Sequence, residues 1–284
     1  MAENSTLCPQ CGAVMEPGEE LCRWCGTSRP RGGSRLRGWR AVAGDGARLV
    51  QWIVAANVLF YLFSLWVGRG EMLDGSPLTF LSPSQASLLV LGATGYVPVV
   101  EFGRFWTLVA ASYLHGGLLH IFFNMMALRQ IGPWVASEFG ASRMFVIYTA
   151  SGVSGYLASC LAGVPFTIGA SAAVCGLIGA LFYFGKSRGG SYGSAVSRVV
   201  SGWLISLAIF GFVMPGINNW GHGGGIVGGI VFGWLLGYRE RRPDRGWHLL
   251  LALICLALTI AILATSAYLA LTLSPADLKQ PATI

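Results

Sequence analysis

The sequence predicts an all-α membrane protein, built as a bundle of six helices, one further C-terminal transmembrane helix and a small metal-stapled segment at the N-terminus. Three observations carry that expectation. Hydrophobic residues make up 54% of the 284-residue chain and charged residues only 11%, against about 25% charge in a soluble domain. The mean hydropathy is +0.61. Long charge-free stretches recur along the chain, as a polytopic membrane protein requires. These figures exclude a cytosolic enzyme, a secreted disulfide scaffold and a disordered tail protein. The formal net charge of +7 is explained by the membrane side on which the basic residues fall, and nucleic acid is not an expected partner.

Residues 1–27 form the first segment. Four of the seven cysteines stand there as Cys8-Pro9-Gln10-Cys11-Gly12 and Cys22-Arg23-Trp24-Cys25-Gly26. Two Cys-x-x-Cys turns, each followed by glycine, let four thiolates converge tetrahedrally. Cys8, Cys11, Cys22 and Cys25 are therefore expected to hold a structural zinc ion in a miniature zinc ribbon. The alternative is two disulfides, but nothing here resembles a cleavable signal peptide, and thiols facing the cytosol stay reduced. Without metal, so short a segment has too little apolar residue to fold. Such a ribbon either docks a cytosolic partner or caps the terminus.

Residues 28–48 turn basic and glycine-rich, with Arg29, Arg31, Arg35, Arg37, Arg40 and Arg48, which suits a linker lying against anionic membrane lipids. Residues 49–240 are expected to hold the six-helix core, and 241–284 the additional span with a short tail. Apolar runs at 49–67, 117–137, 142–162, 171–186, 199–214, 219–238 and 247–273 give seven spans. Most approach the ~20 residues that cross ~30 Å of hydrocarbon at 1.5 Å per residue, although the fourth and fifth are short. The 68–116 connection carries Pro77, Pro83 and Pro98, an apolar 86–97 stretch and Arg104-Phe105-Trp106. It is expected to be a partly embedded loop with short helices of its own.

Sidedness follows from the connections. With the N-terminus in the cytoplasm, sixteen of the nineteen Lys and Arg residues lie inside, and only Arg69, Arg104 and Lys279 lie outside, a strong positive-inside bias. The expected location is a bacterial inner (plasma) membrane.

Polar residues within the spans carry the chemistry, because a polar group in hydrocarbon is costly unless it finds a partner or water. His120 and Asn124 are spaced i, i+4 on one face of the second span, Ser171 opens the fourth and His222 lies in the sixth. Counted from the inner helix ends at 1.5 Å per residue, Ser171, His222 and Asn124 all lie roughly 21–23 Å up. The short fourth span then begins inside the bilayer with unpaired N–H groups, which implies a wet cavity open to the outside. A serine there and a histidine on a neighbouring helix make a nucleophile and a general base. The helix-start N–H groups, the Asn124 amide and His120 point at a developing oxyanion. No carboxylate is available at that depth, so the arrangement is a dyad. Taken singly, each residue is better explained by helix–helix hydrogen bonding. Gly221, Gly225, Gly229, Gly233 and Gly237 form a ladder at every fourth position, and Gly169, Ala172, Ala173, Gly176 and Ala180 offer a complementary face. If those faces meet, Ser171 and His222 stand side by side.

Arg104-Phe105-Trp106-Thr107, the run His115-Gly116-Gly117-Leu118-Leu119-His120-Ile121-Phe122-Phe123-Asn124-Met125, Gly169-Ala170-Ser171-Ala172, and Gly221-His222-Gly223-Gly224-Gly225 through Gly229 together resemble the rhomboid intramembrane serine proteases over about residues 50–240. The resemblance implies a rhomboid-like six-helix core with one extra helix. It implies Ser171 as nucleophile, His222 as base, and His120, Asn124 and the Ser171 N–H as the oxyanion hole, with Gly169 beside them. It also implies transmembrane proteins as substrates, with no cofactor for catalysis. Two departures stand out: Ala172 replaces the last glycine of Gly-x-Ser-Gly, which bears on rate or substrate choice, and Thr107 replaces the arginine after Trp106, which bears on how the long loop is anchored. The alternative reading is a catalytically inactive rhomboid-like adaptor that binds client helices. A transporter is more distant, because the polar residues cluster in the outer half alone.

Overall fold

A computed structural model of the chain describes residues 6–7, 14–16, 19–26, 46–68, 80–214, 216–242 and 244–272. The chain divides into two units, Met1–Ala41 and Val42–Ile284. In the first, strands β1 (Thr6–Leu7) and β2 (Val14–Met15) pair antiparallel, Thr6 opposite Met15 and Leu7 opposite Val14. Cys22 and Met15 are buried together. The Cys22–Gly26 segment is a tight turn closed by Gly26 N–H donating to the Cys22 carbonyl at 2.8 Å, with Gly26 at φ +68°. Cys8 and Cys11 lie outside the described residues. Among the described residues no group of three or more metal-ligating side chains is found, a search that covers only half of the expected thiolate set.

The second unit is helical: α1 (Gly46–Val67), α2 (Gln85–Leu91), α3 (Thr107–Ala110), α4 (Leu118–Phe139), α5 (Ala141–Leu161), α6 (Ser171–Arg188), α7 (Gly190–Val213), α8 (Asn219–Leu236) and α9 (Gly246–Thr272). Long helices stand at all seven places where apolar runs occur. By length and composition α1, α5, α7 and α9 suffice to cross a membrane, with hydropathies of 1.7, 1.4, 1.8 and 2.6. The pair Thr107–Tyr113 and Leu118–Phe139, bent through 94°, passes the same test as a fifth. The helix α7 starts at Gly190 rather than near 199, because residues 190–198, too polar to register as membrane, still continue the helix. The 68–116 connection holds the expected short helices: α2, capped by Ser84 accepting from Ser87 N–H at 3.2 Å, a π turn at Val97–Glu101, and α3 running into a 3-10 turn at Ala111–Tyr113.

The centre of the bundle is α6, of whose eighteen residues twelve are buried. It packs against α8 and α5 most extensively, and against α7 and α4. Contact with α8 is backbone to backbone. A methyl group built on Gly229 would lie 1.8 Å from the Gly176 carbonyl oxygen, one on Gly225 would lie 2.2 Å from the Ala172 oxygen, and one on Gly179 would lie 2.2 Å from the Ile226 oxygen. Small residues at this period let helix axes approach until dispersion and weak Cα–H···O contacts act between the main chains.

At the other end of α5 stands Arg143, one of the basic residues counted to the inner side. It is fully buried. Its guanidinium donates to the Gly237 carbonyl at 2.8 Å and the Arg242 carbonyl at 2.7 Å, and pairs with Asp244 at 3.1 Å. Since His248 Nδ1 accepts from Arg245 N–H at 3.0 Å, it also accepts from Arg143 at 3.4 Å. The cation thereby satisfies carbonyls left over at the end of α8 and ties the start of α9 to the core. The helix α9 continues along α5, α2 and α3.

Gly229→Ala is expected to cost about 1–3 kcal/mol through overpacking, whereas Gly223→Ala, with open space around it, leaves stability unchanged or slightly raised. Thermal unfolding of the two purified variants in detergent checks the contrast, and equal midpoints would contradict the close approach.

Candidate active site

Ser171 is the first residue of α6, and the segment before it is fastened from several sides. Thr94 and Thr167 exchange backbone hydrogen bonds at 3.1 and 2.6 Å, Tyr96 N–H donates to the Val164 carbonyl at 2.7 Å, and Gly169 N–H donates to the Ala111 carbonyl at 2.9 Å. The buried Tyr156 hydroxyl donates to the Gly169 carbonyl. A loop with so many polar ties in a poorly hydrated setting keeps one conformation, since releasing any tie leaves an unsatisfied group. Ala170, which caps α6, offers no side-chain hydrogen bond. The first-turn N–H groups of this half-buried helix start are therefore available to an acceptor.

His120 faces that helix start. Its Nδ1 accepts from Gly116 N–H at 3.2 Å, so the neutral ring carries its proton on Nε2. Nε2 in turn lies against Gly169, where a methyl group would sit 2.6 Å away. Gly169 has φ +120°, a conformation open to glycine and strained for other residues. Together these place an N–H donor of α4 two residues from Ser171. The buried His115 packs edge-on against His120 with ring centroids 5.1 Å apart.

His222 lies in the first turn of α8, half-buried. The helices meet at this end: the Ala172 backbone touches Gly225, and a methyl group on Gly155 would contact both the Gly221 carbonyl and the Ala172 Cβ, at 2.4 and 2.8 Å. Ser171 immediately precedes Ala172, and His222 lies one turn before Gly225. The two residues accordingly occupy the first turns of touching helices. A hydroxyl, two imidazoles and helix-start N–H groups, residue types that acyl transfer uses, are thus carried on neighbouring segments, and among the described residues no hydrogen bond joins Ser171 to His222.

Asn124 is buried on the same face as His120, but one of its two amide N–H groups already donates to the His120 carbonyl at 2.9 Å. One N–H is left for an acceptor. Cys175 is buried packing. Thr107 is buried, not adrift: its hydroxyl lies 3.0 Å from the Thr94 hydroxyl and donates to the Arg104 carbonyl at 2.7 Å. Arg104 itself lies over the Trp106 ring, 4.8 Å from the centroid, so an arginine–tryptophan contact holds the loop from three residues upstream. Two contributors were not picked out from sequence. Tyr156 gives no local signal. Asn218 does, as an N-cap type ahead of a glycine-rich helix; its side chain accepts from Gly221 N–H at 2.9 Å and donates to Ser159 at 2.7 Å and Thr167 at 2.8 Å.

Residues 103–239 match the Rhomboid domain. The chain is similar to RHOMBOID-like protein 5 of Arabidopsis thaliana, 32% identical over 71% of this chain and 70% of that protein. It is similar to RHOMBOID-like protein 4 of the same plant, 30% identical over 77% and 58%. It is also similar to Rhomboid protease GluP of Bacillus subtilis (strain 168), 31% identical over 64% and 36%. The chain thus spans well under two thirds of the length of the last two. A further plant relative bears the name Inactive RHOMBOID-like protein 8, so similarity alone does not establish catalysis.

Tyr156→Phe is expected to destabilise the protein by about 1–2 kcal/mol, because the buried Gly169 carbonyl loses its hydroxyl donor. A fall of a few degrees in the unfolding midpoint checks this, and an unchanged midpoint would dismiss the tie.

Proposed function

Since the chain belongs to the rhomboid family, we propose that it is an intramembrane serine endopeptidase that hydrolyses peptide bonds in or near transmembrane segments of other membrane proteins. The observation that supports the reading is the meeting of the first turns of α6 and α8, the turns that carry Ser171 and His222. In this mechanism the Ser171 hydroxyl attacks the scissile carbonyl carbon while His222 takes its proton. The tetrahedral oxyanion is held by the Ser171 N–H, His120 Nε2–H and the remaining Asn124 amide N–H. The imidazolium then returns the proton to the leaving amine, and a water activated by His222 releases the acyl group from Ser171. No cofactor takes part. A substrate helix must locally unwind before its carbonyl reaches Ser171, which favours glycine, alanine and other helix-weakening contexts at the cut.

The bias of Lys and Arg supports a cytoplasmic N-terminus and a site opening to the extracytoplasmic side. For the head, we infer a zinc ribbon. β1 and β2 pair on either side of the sequence that carries Cys8 and Cys11, and the Gly26-to-Cys22 bond closes the second Cys-x-x-Cys turn. Both features fit a knuckle that presents thiolates to one ion. Bound zinc would supply folding energy to the segment and no chemistry to the site. An inactive adaptor that binds client helices is the reading left standing if Ser171 proves unreactive.

Purified wild-type protein is expected to be labelled by a fluorophosphonate at Ser171 and to cleave a transmembrane substrate, and Ser171→Ala to do neither. His120→Ala should slow cleavage by about 10²-fold or more, as loss of an oxyanion donor does, and wild-type rate should fall as acid protonates the base. Labelling that persists in Ser171→Ala, or a rate flat down to about pH 5, would count against this chemistry. For the head, roughly one zinc per chain is expected, lost in Cys22→Ser with proteolysis retained. Metal content equal in wild type and variant would refute the ribbon.

A further inference from the structure

One side chain is bonded to both segments that deliver the dyad. Asn218 caps α8 through Gly221 N–H at 2.9 Å, and that backbone donor fixes which end of the amide is oxygen. The nitrogen end must then face the other way, and both of its hydrogens are used: one on the Ser159 hydroxyl of α5 at 2.7 Å, the other on the Thr167 hydroxyl at 2.8 Å. Thr167 lies four residues before Ser171, in the loop that pairs with Thr94. Asn218 lies four residues before His222, whose N–H donates to the Asn218 carbonyl at 3.1 Å. Every hydrogen-bonding group of this amide is therefore satisfied, and its three partners belong to the serine loop, to the helix bearing His222, and to the helix between them. A cap alone needs the oxygen end and nothing more.

We propose that Asn218 is a positioning residue for the hydrolytic reaction, a polar clasp that sets the separation of Ser171 from His222. The inference rests on the Ser–His reading given above. The glycine contacts fix how closely α6 and α8 approach, and Thr94, Ala111 and Tyr156 hold the serine loop, but none of these ties that loop to the start of α8. The bond to Thr167 makes that connection, and a misplacement of about 1 Å between reacting groups costs on the order of 100-fold in rate. The neighbouring Asn219 makes a natural control: its amide donates to the Gly211 carbonyl of α7 at 2.8 Å and makes no bond to the serine loop.

The test compares kcat and KM for a transmembrane substrate, fluorophosphonate labelling rate and unfolding midpoint across full-length variants. Asn218→Ala and Asn218→Ser are both expected to lower kcat and labelling by at least ~10-fold with KM within about 3-fold, since alignment rather than binding is lost. Serine matters because it keeps the cap but is too short to reach Thr167, so it separates positioning from helix capping and serves even if the alanine variant misfolds. Asn218→Asp should recover to within about 3-fold of wild type, because a carboxylate accepts from Gly221 N–H and from both hydroxyls once they rotate. Asn219→Ala should stay within about 3-fold. The proposal is overturned if Asn218→Ser reacts at the wild-type rate, if Asn219→Ala loses as much as Asn218→Ala, or if activity follows the unfolding midpoint alone with no recovery in Asn218→Asp. Wild-type protein that is neither labelled nor active would instead bring down the Ser–His reading itself.

Discussion

Everything at the reactive end of the molecule depends on how closely α6 and α8 approach. Where two helices of ordinary composition pack, side chains hold the axes about 8–10 Å apart. Here carbonyl oxygens of one helix lie where a methyl group on the other would have to be, at Gly225, Gly229 and Gly179. In a membrane the attraction cannot come from expelling water between apolar side chains, since lipid tails are as apolar as leucine, so close packing of main chains is what remains. The order of the helices follows: α6 sits in the middle as the most buried element, and the apolar faces that must meet lipid go to α1, α7 and α9.

Close approach alone does not align two side chains. The loop ahead of Ser171 is fixed by polar ties to four surrounding segments, through Thr94, Ala111, Tyr156 and Asn218. Such ties are modest in water, where a broken bond is replaced at once. In a poorly hydrated interior a broken one leaves a stranded donor or acceptor. The interior that makes an intramembrane site difficult to hydrate is thus also what makes its loop stiff. His120 combines both roles, accepting from its own turn at Gly116 and presenting the opposite nitrogen toward Gly169.

Much of this architecture is legible in the sequence because membranes impose a simple code. Seven apolar runs mark seven long helices, and of the glycine ladder at 221–237, Gly225, Gly229 and Gly233 meet α6 while Gly237 lies past the end of α8. His120, Asn124, Ser171 and His222 stand out because polar groups are rare in spans. What composition hides is everything fixed by polar contacts between distant segments. Arg143 counts as one more surface cation until α8 and α9 fold over it and bury it against two carbonyls and Asp244. Tyr156 looks like packing, and Thr107 looks like a lost arginine, until Arg104 is found over Trp106. The start of α7 is missed because the rule that finds spans measures apolarity, while residues 190–198 are helical for reasons of backbone continuity.

The contact at Gly176 and Gly229 involves only main-chain atoms, and every amino acid shares those atoms. Lipid-facing side chains can therefore be exchanged without altering the distance between these two backbones. The glycines cannot be exchanged so freely, since even one methyl group there must displace a main-chain atom of the facing helix.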